Sequence, residues 1–235
     1  MTKVQATNGA ADSRNPHREF ITPDNVVMLF IDHQAAIMAG VGDIDPVRFR
    51  NNVIALAKIA RLHDLPAVLS DNMPEGFAGP ILPELVEILP DAPLIHRAGP
   101  INAWDDPAFV RAVEATGRRK LVIAGCTTDI CLMFPALSAL EAGYDVYGVI
   151  DASGTWSPLD QQIAILRLVH AGVVVMNTAN VLTELQYNHL RPTDEVSGHL
   201  FGDLVPALYF TGTQLRQHAE ARSAKVRTRA ADRST

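Results

Sequence analysis

The sequence predicts an α/β fold with three α-β-α layers, in which helices cover both faces of a six-stranded, mostly parallel sheet. Six short apolar segments, several of them rich in β-branched residues, are separated by segments with helical periodicity. Glycine follows three of the predicted helices, at Gly117, Gly143 and Gly172, as expected where a helix ends. Strands that alternate with helices form a parallel sheet, because each crossover places a helix on a face of the sheet.

The predicted elements follow one another in a regular order. Strands are expected at residues 26–31, 67–70, 94–96, 121–125, 146–150 and 173–176. Helices are expected at residues 46–62, 84–89, 107–116, 128–142, 158–171 and 179–189. Strand 26–31 is a continuous apolar run, which is typical of a strand buried on both faces. Helix 46–62 repeats apolar residues at i, i+3, i+4 and i+7, and Ser157 and Pro158 suit the start of helix 158–171.

The predicted domain organisation is one globular domain with two polar ends. Residues 21–210 form the domain, residues 1–20 a flexible N-terminal arm, and residues 211–235 a polar C-terminal tail. The tail is basic but short, and the whole chain carries a formal charge of −6, so we expect no nucleic-acid partner. No apolar run reaches the length of a membrane span, and the N-terminus has no secretory pattern. We therefore expect a cytoplasmic protein without a membrane partner.

Polar side chains cluster where the predicted strands end. In parallel sheets the ligand site lies beyond the carboxyl ends of the strands. Asp32 follows the first strand, Arg97 the third, and the fourth is followed by a turn that contains Cys126 and Cys131. If these strands are neighbours or nearly so, an acid, a cation and a thiol share one crevice.

The thiol at Cys131 is the better candidate nucleophile. Cys126 directly follows the strand and is expected to be packed beneath the turn, whereas Cys131 would lie in the first turn of helix 128–142. Free N–H groups and the helix dipole there would lower the pKa of a thiol and could hold an oxyanion. Asp32 could then transfer protons while Arg97 keeps it ionised. The alternative left open is structural: Asp32 caps a turn, Arg97 forms a surface ion pair, and both cysteines are inert core residues.

Several motifs in sequence order resemble the isochorismatase-like cysteine hydrolases. The nucleophile segment is LVIAGCTTDIC and the first-strand segment is VVMLFIDHQ. The segments IHRAGPINAWDDPAFVRAVEATGRRKLVIAG and FPALSALEAGYDVYGVIDASGT resemble the YcaC-like branch in particular. The likeness runs from about residue 24 to about residue 208, and it implies a Rossmann-like three-layer fold.

The resemblance also implies a catalytic site. The family's Asp–Lys–Cys triad carries over to Asp32, Arg97 and Cys131, with a cis peptide bond between Cys126 and Thr127. The N–H groups of Thr127 and Cys131 would then form the oxyanion hole. This sequence departs from the family triad in one residue: Arg97 stands where the family has lysine, and no lysine of the chain can reach this site. Arginine stays protonated, so it can orient and stabilise charge but can hardly shuttle a proton.

The sequence also suggests residues that could form the substrate pocket. These are Gln34, Phe77, Asn102, Trp104 and Trp156. Each has a structural alternative, such as a turn cap for Gln34 and a core or subunit-interface position for Trp104. We expect no metal and no cofactor. The segment after the second strand contains Asp71 but not the Asp-x-His pattern of the metal-binding relatives. A metal site at His33 or His96 would need further ligands that converge on the same point, and the sequence indicates none.

The predicted function is hydrolysis of a small amide (C–N bond) or related acyl compound through a thioester on Cys131. The resemblance implies a homo-oligomer, built of tetrameric rings or forming an octamer. A non-catalytic scaffold or binding protein that keeps the fold is the main alternative. A dinucleotide-binding oxidoreductase is disfavoured, because Gly40 and Gly42 come too late after the first strand and Asp45 replaces the third glycine.

Overall fold

The computed structural model describes residues 19–231 and shows a six-stranded, all-parallel sheet. The strands are β1 (Val26–Ile31), β2 (Ala67–Asn72), β3 (Leu94–Arg97), β4 (Lys120–Gly125), β5 (Asp145–Val149) and β6 (Val174–Met176). Their order across the sheet is β3-β2-β1-β4-β5-β6. The predicted α/β class is confirmed. β1 and β4 are direct neighbours, whereas β2 separates β3 from β1.

Helices cover both faces of the sheet. The helices are α1 (Ala35–Ala39), α2 (Pro46–Leu62), α3 (Pro83–Ile88), α4 (Pro107–Ala115), α5 (Met133–Glu141), α6 (Pro158–Ala171), α7 (Thr178–Gln186), α8 (Asp194–Leu204) and α9 (Pro206–Ala231). Residues of α2, α3, α7 and α8 join one apolar core, and residues of α4, α5 and α6 join the other. Every residue of β1 and β4 is buried, as the apolar runs at residues 26–31 and 121–125 indicate, and the burial extends to Lys120 at the start of β4.

The segment after β4 differs from the single predicted helix 128–142. It begins with a π-helical turn, Thr128–Leu132, and becomes α-helical only at Met133. The Leu132 N–H donates to the Thr127 carbonyl (3.0 Å), and the Thr128 N–H donates to the Gly154 carbonyl (2.8 Å). The second bond comes from a loop distant in sequence, so periodicity could not reveal the turn.

The structure adds helices that the sequence analysis did not assign, and it shows the residues beside the two predicted ends. Helices α1 and α8 were not predicted, and α9 continues through the expected boundary at residue 210. The predicted arm at residues 1–20 lies largely outside the described residues, but its last two residues are in place. Lys120 Nζ donates to the Phe20 carbonyl (3.0 Å) and lies 3.3 Å from the Glu19 carboxylate. None of the described helices combines the length and apolar character that crossing a membrane requires.

Gly125 allows the turn that carries Cys131 to pack directly against the end of β4. A Cβ atom at Gly125 would lie 2.6 Å from the Cys131 carbonyl group and from the Leu132 backbone nitrogen. Both contacts are with backbone, which cannot rotate away as a side chain can. The position of the thiol therefore depends on the absence of a side chain at residue 125.

We expect Gly125→Ala to destabilise the fold by about 2–3 kcal/mol, because the added methyl group must displace backbone. Gly148→Ala is the matched control in the neighbouring strand β5. Its Cβ would meet only side-chain atoms of Leu132 and Val173 at 3.4 Å, so a loss of about 1 kcal/mol or less is expected. Urea unfolding of both variants measures the difference, and equal losses would contradict the proposed backbone clash.

Candidate active site

Asp32 lies where the chain leaves β1. Its φ of 58° is in the left-handed region, which few residues other than glycine adopt. The Asp32 N–H donates to the Ser70 carbonyl (2.8 Å), and its carbonyl accepts from the Gln34 N–H (2.7 Å). These backbone bonds fix the turn, and they place a carboxylate that is only 2% exposed at the carboxyl end of the sheet.

Arg97 reaches Asp32 from β3 across the intervening strand β2. Its Nη2 donates to the Asp32 carboxylate, and its Nε donates to the Ser70 hydroxyl (2.9 Å). Its Nη1 donates to the carbonyls of Pro100 (2.5 Å) and Ile101 (3.1 Å). The guanidinium group is therefore buried, ion-paired and hydrogen-bonded on all three nitrogens, rather than forming the surface ion pair that the sequence left open.

Cys131 lies in the π-helical turn, on the same side of the sheet as Arg97. Its thiol is hydrogen-bonded to the Asp32 carboxylate, and the Thr127 N–H points to its sulfur. The peptide bond between Cys126 and Thr127 is cis, as the family resemblance implies. The structure thus brings Asp32, Arg97 and Cys131 together in one hydrogen-bonded chain.

The predicted lowering of the Cys131 pKa is wrong. Burial raises the pKa of the Cys131 thiol well above its usual value, and the adjacent Asp32 carboxylate raises it further. The Thr127 N–H opposes this shift without overcoming it. Burial also raises the pKa of Asp32, and the Arg97 guanidinium partly offsets that effect. The resting site therefore holds a neutral thiol whose proton is directed at a carboxylate.

A cavity of about 290 Å³ opens above Asp32 and Cys131. Of the predicted pocket residues, Gln34 and Phe77 line it. Gln34 is fully buried and its amide is occupied: Nε2 donates to the carbonyls of Asn72 (3.1 Å) and Gly79, and Oε1 accepts from the Asn72 N–H (3.0 Å). Gln34 therefore holds two walls of the cavity together.

The other three predicted pocket residues lie away from this cavity. Asn102 accepts from the Trp104 N–H (3.1 Å) and donates to the Ser138 hydroxyl (3.1 Å), so it caps a short turn and joins it to α5. The Trp104 ring packs edge-on against Phe109 and Tyr144. Trp156 packs against Gly40 in the segment after α1. Their loop positions suggested a pocket, but local packing directs them elsewhere.

Six residues that the sequence analysis did not single out complete the cavity wall, and two of them, Gly76 and Ala78, belong to the loop after β2. Ile37 belongs to α1, Asn72 and Met73 stand at the end of β2, and Ile101 follows β3. Met73 and Ile101 are more than half exposed despite their apolar side chains. An apolar residue just beyond the carboxyl end of a strand is the signal that could have identified Met73 and Ile101.

The two histidines near the triad serve other roles. His33 is buried on the opposite face of the sheet between Phe30 and Phe49, and its Nε2 lies 2.9 Å from the Ala152 carbonyl. Burial lowers the pKa of His33 to about 4. His96 Nδ1 lies 2.7 Å from the Asp71 carboxylate. Across residues 19–231, no three His, Cys, Asp or Glu side chains converge as a metal site would require.

The fold and the Asp–Arg–Cys arrangement define an α/β protein with a candidate thiol site, and comparisons identify its family. The isochorismatase domain model matches residues 26–180, and the chain therefore belongs to the isochorismatase family. Probable hydrolase YcaC of Escherichia coli K12 is 43% identical over 183 residues, which cover 78% of this chain and 88% of that protein.

Solved structures support the YcaC-like branch. YcaC from Pseudomonas aeruginosa, solved with hexane-2,5-diol and covalent acrylamide, has a TM-score of 0.82 and 44% identity. The match covers 85% of this chain and 98% of that one. The Escherichia coli YcaC structure, described as an octameric hydrolase of unknown specificity, has a TM-score of 0.80 and 39% identity, with 85% and 97% covered.

We expect Asp32→Asn to lower the pKa of Cys131. The substitution removes the negative charge that opposes the thiolate and leaves the Arg97 guanidinium uncompensated nearby. The pH dependence of iodoacetamide alkylation at Cys131 measures the shift, with circular dichroism confirming folding. Asp203→Asn changes an exposed carboxylate outside the site and should leave the pH dependence of Cys131 alkylation unchanged. An unchanged or higher pKa in Asp32→Asn would contradict the electrostatic account.

Proposed function

We propose that this chain is a cysteine hydrolase that cleaves the C–N bond of a small amide, or a related acyl bond, through a thioester on Cys131 and without a cofactor. The observation that carries the proposal is the hydrogen-bonded chain from the Cys131 thiol to Asp32 to Arg97 at the base of a cavity. It supplies a nucleophile, a proton acceptor and a group that fixes the acceptor.

In the acylation step, the Cys131 sulfur attacks the substrate carbonyl carbon while its proton passes to Asp32. The N–H groups of Thr127 and Cys131 hold the oxyanion of the tetrahedral intermediate. The raised pKa of Asp32 suits this role, because a carboxyl group must hold the proton until the leaving group takes it. When the intermediate collapses, the C–N bond breaks, the amine leaves with the proton from Asp32, and the acyl group remains on sulfur.

In the deacylation step, Asp32 accepts a proton from water as the water oxygen attacks the thioester carbonyl. Collapse of the second tetrahedral intermediate breaks the C–S bond and releases the carboxylic acid, and the proton on Asp32 returns to the Cys131 sulfur. Arg97 takes no proton in either step, since guanidinium stays charged at accessible pH. Its role is to orient the Asp32 carboxylate and balance its charge.

Acyl chemistry suits the site better than cleavage of a vinyl ether. The resemblance implies that isochorismatases proper, which cleave such an ether, lack a nucleophilic cysteine, whereas this chain has Cys131 at that place. Pseudomonas aeruginosa YcaC carries a covalent acrylamide, an electrophile that bonds only to a nucleophile in that protein. In this chain we propose Cys131, at the base of the cavity, as the nucleophile. Both cysteines are free thiols, which a reducing compartment such as the cytoplasm would maintain.

We expect Cys131→Ala to lower ammonia release from amide substrates by at least about a thousandfold, since no other group can form the acyl intermediate. In the unaltered protein, mass spectrometry during turnover of an activated ester should detect an acyl group. Fragment ions between Cys126 and Cys131 should place it on Cys131.

Two outcomes would overturn the assignment. Hydrolysis that survives Cys131→Ala would exclude the nucleophile. A wild-type protein that neither hydrolyses any member of an amide and ester panel nor forms an acyl adduct would favour the non-catalytic scaffold.

We further propose that the protein assembles as a homo-oligomer, as the octameric Escherichia coli YcaC does. Helix α6 supports this with an outward-facing apolar stripe at i, i+4, i+7 and i+10. Its members, each 52–71% exposed in the single chain, are Leu159, Ile163, Leu166 and Val169. Such a stripe on a surface helix is typical of a protein–protein contact. A second copy of this chain is the proposed occupant.

We expect Ile163→Asp to shift the assembly to smaller species, because an interface would bury the new carboxylate without a partner. Leu190→Asp is the control, since Leu190 is 90% exposed and lies outside the stripe. Sedimentation velocity of both variants and of the wild type measures the change. A monomeric wild type, or an Ile163→Asp protein that keeps the wild-type mass, would rule out this interface.

A further inference from the structure

The cavity above Cys131 has no positively charged side chain in its wall. Among the described residues, its polar lining consists of Asp32, Gln34, Asn72 and Cys131. Arg97 lies behind Asp32, is 1% exposed, and is held by the carboxylate and by protein oxygens. It cannot turn toward a ligand without leaving Asp32 unpaired. A substrate carboxylate would therefore lie near the Asp32 carboxylate, and no cation of the wall would pair with it, which is unfavourable.

The two amide side chains of the wall are already occupied by the protein. Gln34 bonds to the backbone of Asn72 and Gly79 through both ends of its amide. Asn72 Nδ2 donates to the Pro100 carbonyl (3.1 Å), and its Oδ1 accepts from the Gly99 N–H (3.1 Å). Both amides brace the loops, and the second hydrogen of Asn72 Nδ2 is the amide donor that they leave for a ligand. The wall offers little to a polar substituent on the acyl group.

The rest of the lining is apolar and the space is small. Ile37, Met73, Phe77, Ala78 and Ile101 form this part of the wall. The volume of about 290 Å³ lies at the lower end of the range for small-molecule pockets. Met73, Phe77 and Ile101 are largely exposed at the mouth. A short aliphatic group would therefore gain contacts with the wall as it lengthens, until its end reaches solvent.

We infer that the site selects uncharged amides with a short aliphatic acyl chain, of about three to six carbons, and rejects those whose acyl chain carries a carboxylate. This inference rests on the proposed function for the reaction, and on the cavity alone for the selectivity. Each additional buried methylene group should raise kcat/KM about fourfold until the chain reaches the mouth.

The first test compares 4-methylpentanamide with succinamate, which has nearly the same shape and a carboxylate in place of the branched end. We expect kcat/KM for the neutral amide to be higher by about a hundredfold or more, because the charged analogue must be desolvated without a partner. Ammonia release by the full-length, assembled protein measures the rates for both substrates. Equal or preferred hydrolysis of succinamate would overturn the inference while leaving the proposed hydrolase intact.

The second test needs no turnover. Iodoacetamide and iodoacetate are matched in size and differ in charge, and their alkylation rates at Cys131 are compared with the same ratio for glutathione. We expect Cys131 to favour the neutral reagent by about tenfold or more beyond glutathione. That preference with no amide hydrolysis would reject the proposed function and keep the cavity selectivity. A ratio equal to that of glutathione would reject the selectivity, whatever the enzyme hydrolyses.

A positive charge placed in the wall should weaken the selectivity for neutral substrates. Ile101→Lys adds a cation at the cavity. We expect it to lower the ratio of kcat/KM for 4-methylpentanamide to kcat/KM for succinamate by at least about tenfold. Leu190→Lys, which adds the same charge to an exposed site outside the cavity, should leave this kcat/KM ratio as in the wild type. An unchanged kcat/KM ratio in a folded Ile101→Lys protein would count against the cavity as the source of selectivity. If that variant does not fold, the alkylation ratio of the unaltered chain decides.

Discussion

The site depends on the buried ion pair between Asp32 and Arg97. Removing two charges from water is unfavourable, and a pair such as this is tolerated only where the remaining donors and acceptors are also satisfied. Here the Ser70 hydroxyl and the carbonyls of Pro100 and Ile101 complete the shell of the guanidinium group. The pair thereby joins the ends of β1 and β3 across β2. The loss of either partner leaves an uncompensated charge in the core, so the geometry of the nucleophile and the integrity of the sheet end are not separable.

The electrostatics of Cys131 indicate how the thiol is used. A thiol at a helix N-terminus with no acid nearby tends to rest as thiolate, which is reactive toward many electrophiles. In this protein burial and the Asp32 carboxylate raise the pKa of Cys131, and the Asp32 carboxyl also has a raised pKa. The thiol proton therefore lies between Cys131 and Asp32, and burial destabilises the charged form of both groups. In the proposed reaction the thiolate forms when a substrate carbonyl is present to receive it, and the Thr127 N–H already points to the sulfur, where the negative charge would begin. Such a site restricts reactivity to molecules that enter the cavity.

Much of the fold was predictable because strands that are buried on both faces of the sheet appear in the sequence as continuous apolar runs. The bounds of β1, α2 and α6 agree with prediction, since apolar periodicity, Pro46 and the Ser157–Pro158 pair mark them. The rule that ligands bind at the carboxyl ends of parallel strands was enough to bring Asp32 and Cys131 together. The π-helical turn was not predictable, because it depends on the long-range bond from Thr128 to Gly154. Loop side chains were predicted least well: Phe77 lines the cavity, while Trp104 and Asn102 are directed into local packing by Tyr144 and Ser138.

The arginine in place of the lysine of the family triad connects the charge of the site to the shape of the cavity. A lysine ammonium is a compact charge on a flexible stem, whereas guanidinium holds its donors in a rigid plane. The plane of Arg97 meets Asp32 on one side and the carbonyls of Pro100 and Ile101 on another, and the Ile101 side chain is part of the cavity wall. The group that orients the carboxylate thus also positions the segment that lines the cavity. A change in that segment would alter the reactivity of Cys131 as well as the selection of substrate, because both depend on the same planar group.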